Sequence, residues 1–270
     1  MEVITPDWWW AAYLALGLLV GLFAGMLGIG GGVIIVPLLV FLFTKQQFPS
    51  DRVVHLALGT SIASIAFTAL SSVRAHHSRR AVRWDVVRQA GPWVVLGTVL
   101  GTLFADRLSS RYLAVIFTAF VLYSSIQLLL DRKPKPTRQL PGPVGIALGA
   151  TLIGALCSLV GVAGGVILLP LMTLCNVPLL TAIGTTAALG LPLSAAGAAG
   201  YIVTGLNKSH LPPFSLGYVY LPALAGLVLG TFVTVPFGAS LAHSMRVTLL
   251  KKIFAVVLLV LAVKMLTSLL

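Results

Sequence analysis

The sequence predicts an all-α polytopic membrane protein built as an inverted repeat. Three observations support this fold class: the composition, a glycine motif that occurs twice, and the distribution of basic residues. Of the 270 residues, 58% are hydrophobic and 9% are charged, and the mean hydropathy is +1.03. Soluble domains carry about a quarter charged residues. The apolar runs also leave no polar stretch long enough to form a soluble domain.

The net charge of +12 does not predict nucleic-acid binding. The basic residues fill short loops between apolar segments, as the topology of a membrane protein requires. We therefore expect the lipid bilayer as the surrounding medium and no nucleic-acid partner. The acidic N-terminal residues lack the basic region of a signal peptide, and three tryptophans at 8–10 are typical of an interfacial anchor.

Ten apolar segments follow one another along the chain. Most of them are close to the length of about 20 residues that a helix needs to cross a bilayer. Segments 31–44 and 164–176 are shorter and would span about 20 Å, which is two thirds of the hydrocarbon. The segments are 9–27, 31–44, 54–73, 86–104, 111–130, 144–160, 164–176, 180–204, 216–237 and 252–270.

Each short segment begins in a glycine motif. The sequence reads GIGGGVIIVP at 28–37 and GVAGGVILLP at 161–170. Glycine allows the backbone to leave helical geometry, and an unpaired backbone is most costly in hydrocarbon. Two helices that break at matching positions inside a membrane indicate a binding site.

The basic residues predict the orientation of the chain. Most of them lie in three loops, which the positive-inside rule assigns to the cytoplasm. This assignment places both termini outside and makes the two halves run in opposite senses. The predicted units are a first repeat at 1–130, a cytoplasmic linker at 131–143, and a second, inverted repeat at 144–270. The loop residues are Arg74, Arg79, Arg80, Arg83, Arg88, Arg132, Lys133, Lys135, Arg138, Arg246, Lys251 and Lys252.

In each half, we expect a glycine-tipped re-entrant helical hairpin followed by three transmembrane helices. The hairpins pair 9–27 with 31–44 and 144–160 with 164–176, and they enter from opposite sides, so their tips would meet near the midplane. Irregular backbone is tolerated there if it lines a wet cavity. The amides at 31–33 and 164–166 would then be free donors at helix N-termini, which bind anions without a basic side chain.

A competing interpretation is that the glycines only allow helices to pack closely. The pairs Gly97/Gly101 and Gly226/Gly230 fit this interpretation well. A run of three glycines at a hairpin turn, as at 30–32, exceeds what packing requires, and at the two motifs we favour a site.

The acidic residues indicate the charge of the cargo. Only six carboxylates are present, and all fall in predicted termini or loops. No carboxylate inside the membrane is available to bind a cation or relay a proton. An anion site that is lined by amides and hydroxyls is therefore expected.

Hydroxyl residues recur after both hairpins. Thr60-Ser61 and Thr185-Thr186 each follow a glycine and could donate to the anion, although such hydroxyls often bond their own helix backbone. His55 is a possible coupling group, because it can titrate near neutral pH, but a lone histidine is more often packed or interfacial. His76 and His77 are expected to be solvated.

The predicted substrate-binding set combines the two motifs with these hydroxyls. No nucleophile–base constellation or metal cluster is visible, so neither an enzyme nor a cofactor is indicated. The set is Gly30, Gly31, Gly32, Val33, Thr60, Ser61, Ala163, Gly164, Gly165, Val166, Thr185 and Thr186.

The paired glycine motifs, each followed by a Gly-Thr-Ser or Gly-Thr-Thr helix, resemble the TauE/SafE family of sulfite exporters and related permeases. The resemblance covers nearly the whole chain and implies transport of small sulfur oxyanions such as sulfite, sulfoacetate or thiosulfate across a bacterial inner membrane, by a monomer or homodimer. Thiosulfate-uptake members are associated with paired cysteines near the pore. Here Cys157 lies near the second motif and the first half has no cysteine, which favours an exporter of sulfite or a sulfonate.

Other functions stay open from the sequence. They are a passive anion channel, a thiosulfate or sulfate uptake permease, and a non-transporting scaffold subunit, although the short loops leave a scaffold little docking surface.

Overall fold

A computed structural model describes residues 8–27, 31–130, 139–244, 252, 255–261 and 263–264. These parts of the chain form nine helices and one small antiparallel hairpin, and 255–261 are also helical. The helices are α1 (Trp8–Leu27), α2 (Gly32–Lys45), α3 (Val53–Ser78), α4 (Trp84–Arg107), α5 (Ser110–Leu130), α6 (Pro143–Val160), α7 (Gly165–Leu174), α8 (Leu179–Gly205) and α9 (Leu221–Ser244); the strands are β1 (Ser215–Leu216) and β2 (Val219–Tyr220).

The helical architecture agrees with an all-α membrane protein. Among the described helices, α3, α6 and α8 are long and apolar enough to cross a bilayer. Large apolar side chains such as Trp93, Leu152 and Phe232 are exposed on α4, α6 and α9, as a lipid-facing surface requires. Most of the predicted linker and about half of segment 252–270 lie outside the described residues.

The predicted span 216–237 is wrong at its start. Ser215 pairs with Tyr220 in an antiparallel hairpin that turns at Gly217, whose φ is +56°, and α9 begins only at Leu221. The strand residues inside this span, Leu216, Val219 and Tyr220, are apolar, and a hydropathy pattern does not distinguish them from the first turn of the helix that follows.

The short helices α2 and α7 end in the same way. Gln46 N–H donates to Leu42 O at 3.0 Å, and Cys175 N–H donates to Leu171 O at 3.1 Å. The next residue in each chain segment has a positive φ, 59° at Gln47 and 60° at Asn176. Helix α2 has 14 residues and α7 has 10, so α7 is about one turn shorter.

The longest interfaces join the two predicted halves. Helix α1 packs on α9, α6 packs on α4, and α3 packs on α8. A Cβ atom on Gly17 would lie 2.6 Å from Gly226 O, and one on Gly101 would lie 2.6 Å from Ala155 O. Because helices this close leave no room for a side chain, the packing role of Gly97/Gly101 and Gly226/Gly230 is confirmed.

Matching hydrogen bonds accompany the α4–α6 and α1–α9 interfaces. Thr98 Oγ1 on α4 lies 3.4 Å from Gly154 O on α6, and Thr234 Oγ1 on α9 donates to Leu18 O on α1 at 2.8 Å. In each case, the first helix of one predicted half contacts the fourth helix of the other. The inverted sense of the halves across a bilayer stays a prediction.

Candidate functional site

The two glycine segments are in contact. A Cβ atom on Gly32 would lie 2.6 Å from Gly161 O and 3.2 Å from Val162 Cα. The second segment turns through two left-handed glycines, Gly161 (φ +71°) and Gly164 (φ +76°). Ser61 Oγ donates to Gly161 O at 2.9 Å, so α3 fixes the position of the second segment.

Each segment leads into a helix N-terminus. The N–H of Ile34 donates to Gly31 O, and the N–H of Ile167 donates to Gly164 O, both at 3.0 Å. The amides that precede Ile34 and Ile167 in these first turns have no intrahelical acceptor, as in every helix. The partial positive charges of two helix dipoles therefore lie close together.

A cavity of about 150 Å³ lies beside the two glycine segments, which we also call the glycine tips. This volume is about ten times the ~15 Å³ that one ordered water needs, so a small oxyanion fits. Among the described residues, its wall contains no acidic residue, no lysine and no arginine. The polar side chains that line it are Ser64, Thr68, Ser72, His76, Thr186 and Thr231.

The structure places only part of the predicted set on this cavity. Gly31, Ala163, Gly165 and Thr186 line it. Gly30 lies outside the described residues. The remaining members do not line the cavity; they are Gly32, Val33, Thr60, Ser61, Gly164, Val166 and Thr185.

The recurring threonines Thr60 and Thr185 have backbone partners instead. Thr60 Oγ1 accepts from Tyr220 N–H and Thr185 Oγ1 accepts from Arg83 N–H, each at 3.0 Å. Tyr220 immediately precedes α9, and Arg83 immediately precedes α4. Both threonines therefore hold the segment that starts the fourth helix of a predicted half.

The hydroxyls on the cavity are engaged to different degrees. Ser64 Oγ donates to Ser61 O at 2.8 Å, and Thr68 Oγ1 donates to Ile65 O at 3.0 Å. These bonds follow the common pattern in membrane helices. Thr186 Oγ1 lies 3.7 Å from Met172 Sδ, which is a weak acceptor, so its proton is readily available to a ligand.

His55 is buried away from the cavity. Its Nε2 lies 3.1 Å from Ala105 O, its Nδ1 lies 3.4 Å from Ser110 Oγ, and its ring stacks on Tyr218 at 5.0 Å between centroids. These contacts agree with the alternative that His55 is a packed residue. A coupling role stays a prediction, and His55 does not line the cavity that would support it.

The structure contains a polar network near His55 that the sequence did not predict. Arg52 Nη1 donates to Tyr218 Oη at 3.0 Å, and Tyr218 Oη and Lys208 Nζ both donate to Asp106, at 2.9 Å each. Burial and the neighbouring Asp106 raise the pKa of the Tyr218 hydroxyl, which stays protonated. The residues come from four separate stretches of sequence, so no local pattern predicts them.

The two cysteines are free. Cys157 is buried and Cys175 is half-buried. A Cβ atom on Gly164 would lie 3.5 Å from Cys157 Sγ, so the thiol packs behind the second tip. Neither cysteine lines the cavity.

Comparison with known proteins identifies the family. The model for the family described as "Sulfite exporter TauE/SafE" matches residues 13–265. The chain belongs to the TauE/SafE family. The resemblance of the paired glycine motifs is thereby confirmed, and the membrane assignment with it.

Relatives of this TauE/SafE chain are described as probable membrane transporter proteins. One from Haemophilus influenzae is 36% identical over 253 residues, which cover 93% of this chain and 96% of the relative. YunE from Bacillus subtilis is 29% identical over 270 residues, covering 91% and 93% respectively. A third, MJ0441 from Methanocaldococcus jannaschii, is 23% identical over 218 residues and covers 77% of each chain. No solved structure gives a significant match.

Proposed function

We propose that this TauE/SafE chain is a secondary transporter that exports a small sulfur-containing oxyanion, either sulfite or a small sulfonate such as sulfoacetate, across a bacterial inner membrane. One observation carries the proposal. A cavity whose described lining residues include no carboxylate lies where two glycine segments and two helix N-termini meet. This arrangement attracts an anion and repels a cation. The transporter names of the relatives add support.

The anion would be held by backbone amides and one hydroxyl. Gly31 and Gly165 bring the first turns of α2 and α7 to the cavity, and Thr186 adds a side-chain donor from α8. Hydrogen bonds from such fixed donors to a charged acceptor are worth about 1.5–3 kcal/mol each. In this proposal, Thr60, Ser61 and Thr185 position the site and do not touch the anion.

Transport would proceed by alternating access between two inverted repeats, 1–130 and 144–270. The proposal draws on the reciprocal interfaces of α1 with α9 and α6 with α4, and on the equivalent bonds of Thr60 and Thr185. Repeats of opposite sense place a site at their interface near the midplane. The basic residues within 74–88, 131–143 and 238–252 favour a cytoplasmic location for these three stretches, with both termini outside.

The test is flux into proteoliposomes that contain the purified full chain. Sulfite, sulfoacetate, thiosulfate and sulfate are offered separately, with and without a pH gradient. The proposal expects saturable flux of sulfite or sulfoacetate. Large conductance that does not saturate would show a passive channel, and flux of thiosulfate or sulfate alone would show an uptake permease; either result refutes the proposal.

A variant pair tests the site within the same assay. Thr186→Val keeps the shape of the side chain and removes the hydroxyl, and we expect KM to rise about tenfold or more because a donor to a charged group is lost. Thr204→Val is the matched control, because Thr204 lies on the same helix, donates to Gly200 O and does not line the cavity. Equal KM values for the two variants would contradict the assigned binding site.

A further inference from the structure

Four polar residues on α3 form a continuous stripe along the cavity. They are spaced four residues apart and all of them line its wall: Ser64, Thr68, Ser72 and His76. Residues four apart lie on one face of a helix. We name this row the α3 stripe.

The α3 stripe connects the glycine tips with the basic loop after α3. Ser64 donates to the backbone of Ser61, which itself holds Gly161. His76 lies at the other end, three residues before Arg79. At 1.5 Å per residue, the stripe is about 18 Å long, which is more than half of the hydrocarbon thickness.

The other walls of the cavity offer little to a charged ligand. They include Val20, Ile35, Leu169, Ile183 and Val235. In the part of the chain that the structure describes, His76 is the only ionisable side chain that lines the cavity. An anion that moves from the tips towards the basic loop therefore finds a hydrogen-bonding side chain mainly on α3.

His76 differs from its neighbour His77. His77 is exposed, does not line the cavity, and its Nδ1 accepts from Trp84 Nε1–H at 3.1 Å. His76 is half-buried and packs against α8, where a Cβ atom on Gly184 would lie 3.2 Å from His76 Cβ. The expectation that both histidines are solvated is therefore wrong for His76.

We propose that the α3 stripe is the path of the anion between the glycine site and the basic loop, and that His76 binds the anion at the end of this path that meets the basic loop. This inference rests on the proposed function. The imidazole N–H donates to an oxygen of the anion, and Ser72 and Thr68 rotate their hydroxyls to continue the contact inwards. Arg79 is the charged group beside His76, whereas α8 presents the uncharged Ile183 and Gly184.

The deciding experiment compares four single variants with the wild-type chain in proteoliposomes. His76→Leu removes the donor at similar volume, and His76→Gln retains an N–H donor. His77→Leu is the matched control for the histidine. Ser72→Ala is compared with Ser71→Ala, because Ser71 is exposed, bonds to Thr68 O and does not line the cavity.

For the anion that the wild type transports, we expect His76→Leu to raise KM about tenfold or more, because a hydrogen bond to a charged group is lost. His76→Gln should recover part of this loss, and His77→Leu should leave KM unchanged. Ser72→Ala should raise KM more than Ser71→Ala does. Calorimetric titration of the purified proteins with sulfite gives the same comparison without transport.

The outcomes separate the inference from the proposed function. If the wild type shows no saturable flux of sulfite or sulfoacetate, the proposed function fails. If the wild type transports one of these two anions and His76→Leu matches His77→Leu in KM and in sulfite affinity, the inference fails and the function stands. Should His76→Leu not fold, His76→Gln and the serine pair decide by the same comparison.

Discussion

Gly32 offers the sharpest test of contact between the two tips. In Gly32→Ala, the new methyl carbon would lie 2.6 Å from Gly161 O and 2.8 Å from Ile65 Cδ1. Ordinary van der Waals contact begins at 3.4 Å. The tips must therefore separate by about 0.8 Å, because closely packed interiors do not absorb such an overlap.

The separation has a cost in stability and in transport. Overpacking of this kind costs about 1–3 kcal/mol. Gly161 is already fixed by Ser61 on one side, so the strain falls on the donors that face the cavity. Because a displacement of about 1 Å at a positioned group can cost roughly 100-fold in rate, we expect sulfite flux to fall at least tenfold.

The assays are thermal unfolding of the purified protein in detergent and flux in proteoliposomes. Gly149→Ala is the matched control, because it is the same substitution inside helix α6 and nothing lies within 4 Å of the added Cβ. This control should be neutral or slightly stabilising, since alanine favours a helix over glycine by about 1 kcal/mol. Equal melting temperatures and equal flux for the two variants would refute contact between the tips.

Two further substitutions test how the site is held. Ser61→Ala removes the hydrogen bond to Gly161 O and should lower the unfolding free energy by about 0.6–1.7 kcal/mol. The control Ser71→Ala should leave the unfolding free energy unchanged. Equal thermal stability of the two variants would show that Ser61 does not stabilise the second glycine segment. Asp106→Asn leaves Lys208 without its carboxylate partner and should cost about 1–3 kcal/mol, which denaturation in mild detergent would measure; an unchanged unfolding free energy would show that the network contributes nothing to stability.

The helical architecture could be predicted because membrane helices are read from composition. Each predicted apolar segment within the described parts corresponds to a helix, since hydrocarbon leaves the backbone few other ways to satisfy its polar groups. The exception is the hairpin at Ser215–Leu216 and Val219–Tyr220. It lies outside the spanning helices, where this constraint does not act and where composition therefore does not determine secondary structure.

The candidate site could be predicted only in part, because a residue pattern that recurs in the two predicted halves can have two causes. Thr60 and Thr185 recur, and the structure shows that each holds the start of the fourth helix of the other predicted half. A packing role that is repeated in both halves preserves residues as well as a binding role does. His76 and Ser72 line the cavity without belonging to either repeated motif, so recurrence could not indicate them.

The two halves also differ along the very helices that carry the repeated motif. When Thr60 is matched with Thr185, the positions on α8 that correspond to the α3 stripe are Leu189, Leu193, Gly197 and Tyr201. All four are buried, and Tyr201 Oη donates to Ser158 O at 2.9 Å. None of them lines the cavity. Because desolvating an anion along an apolar face is costly, the path that we propose along α3 has no counterpart along α8.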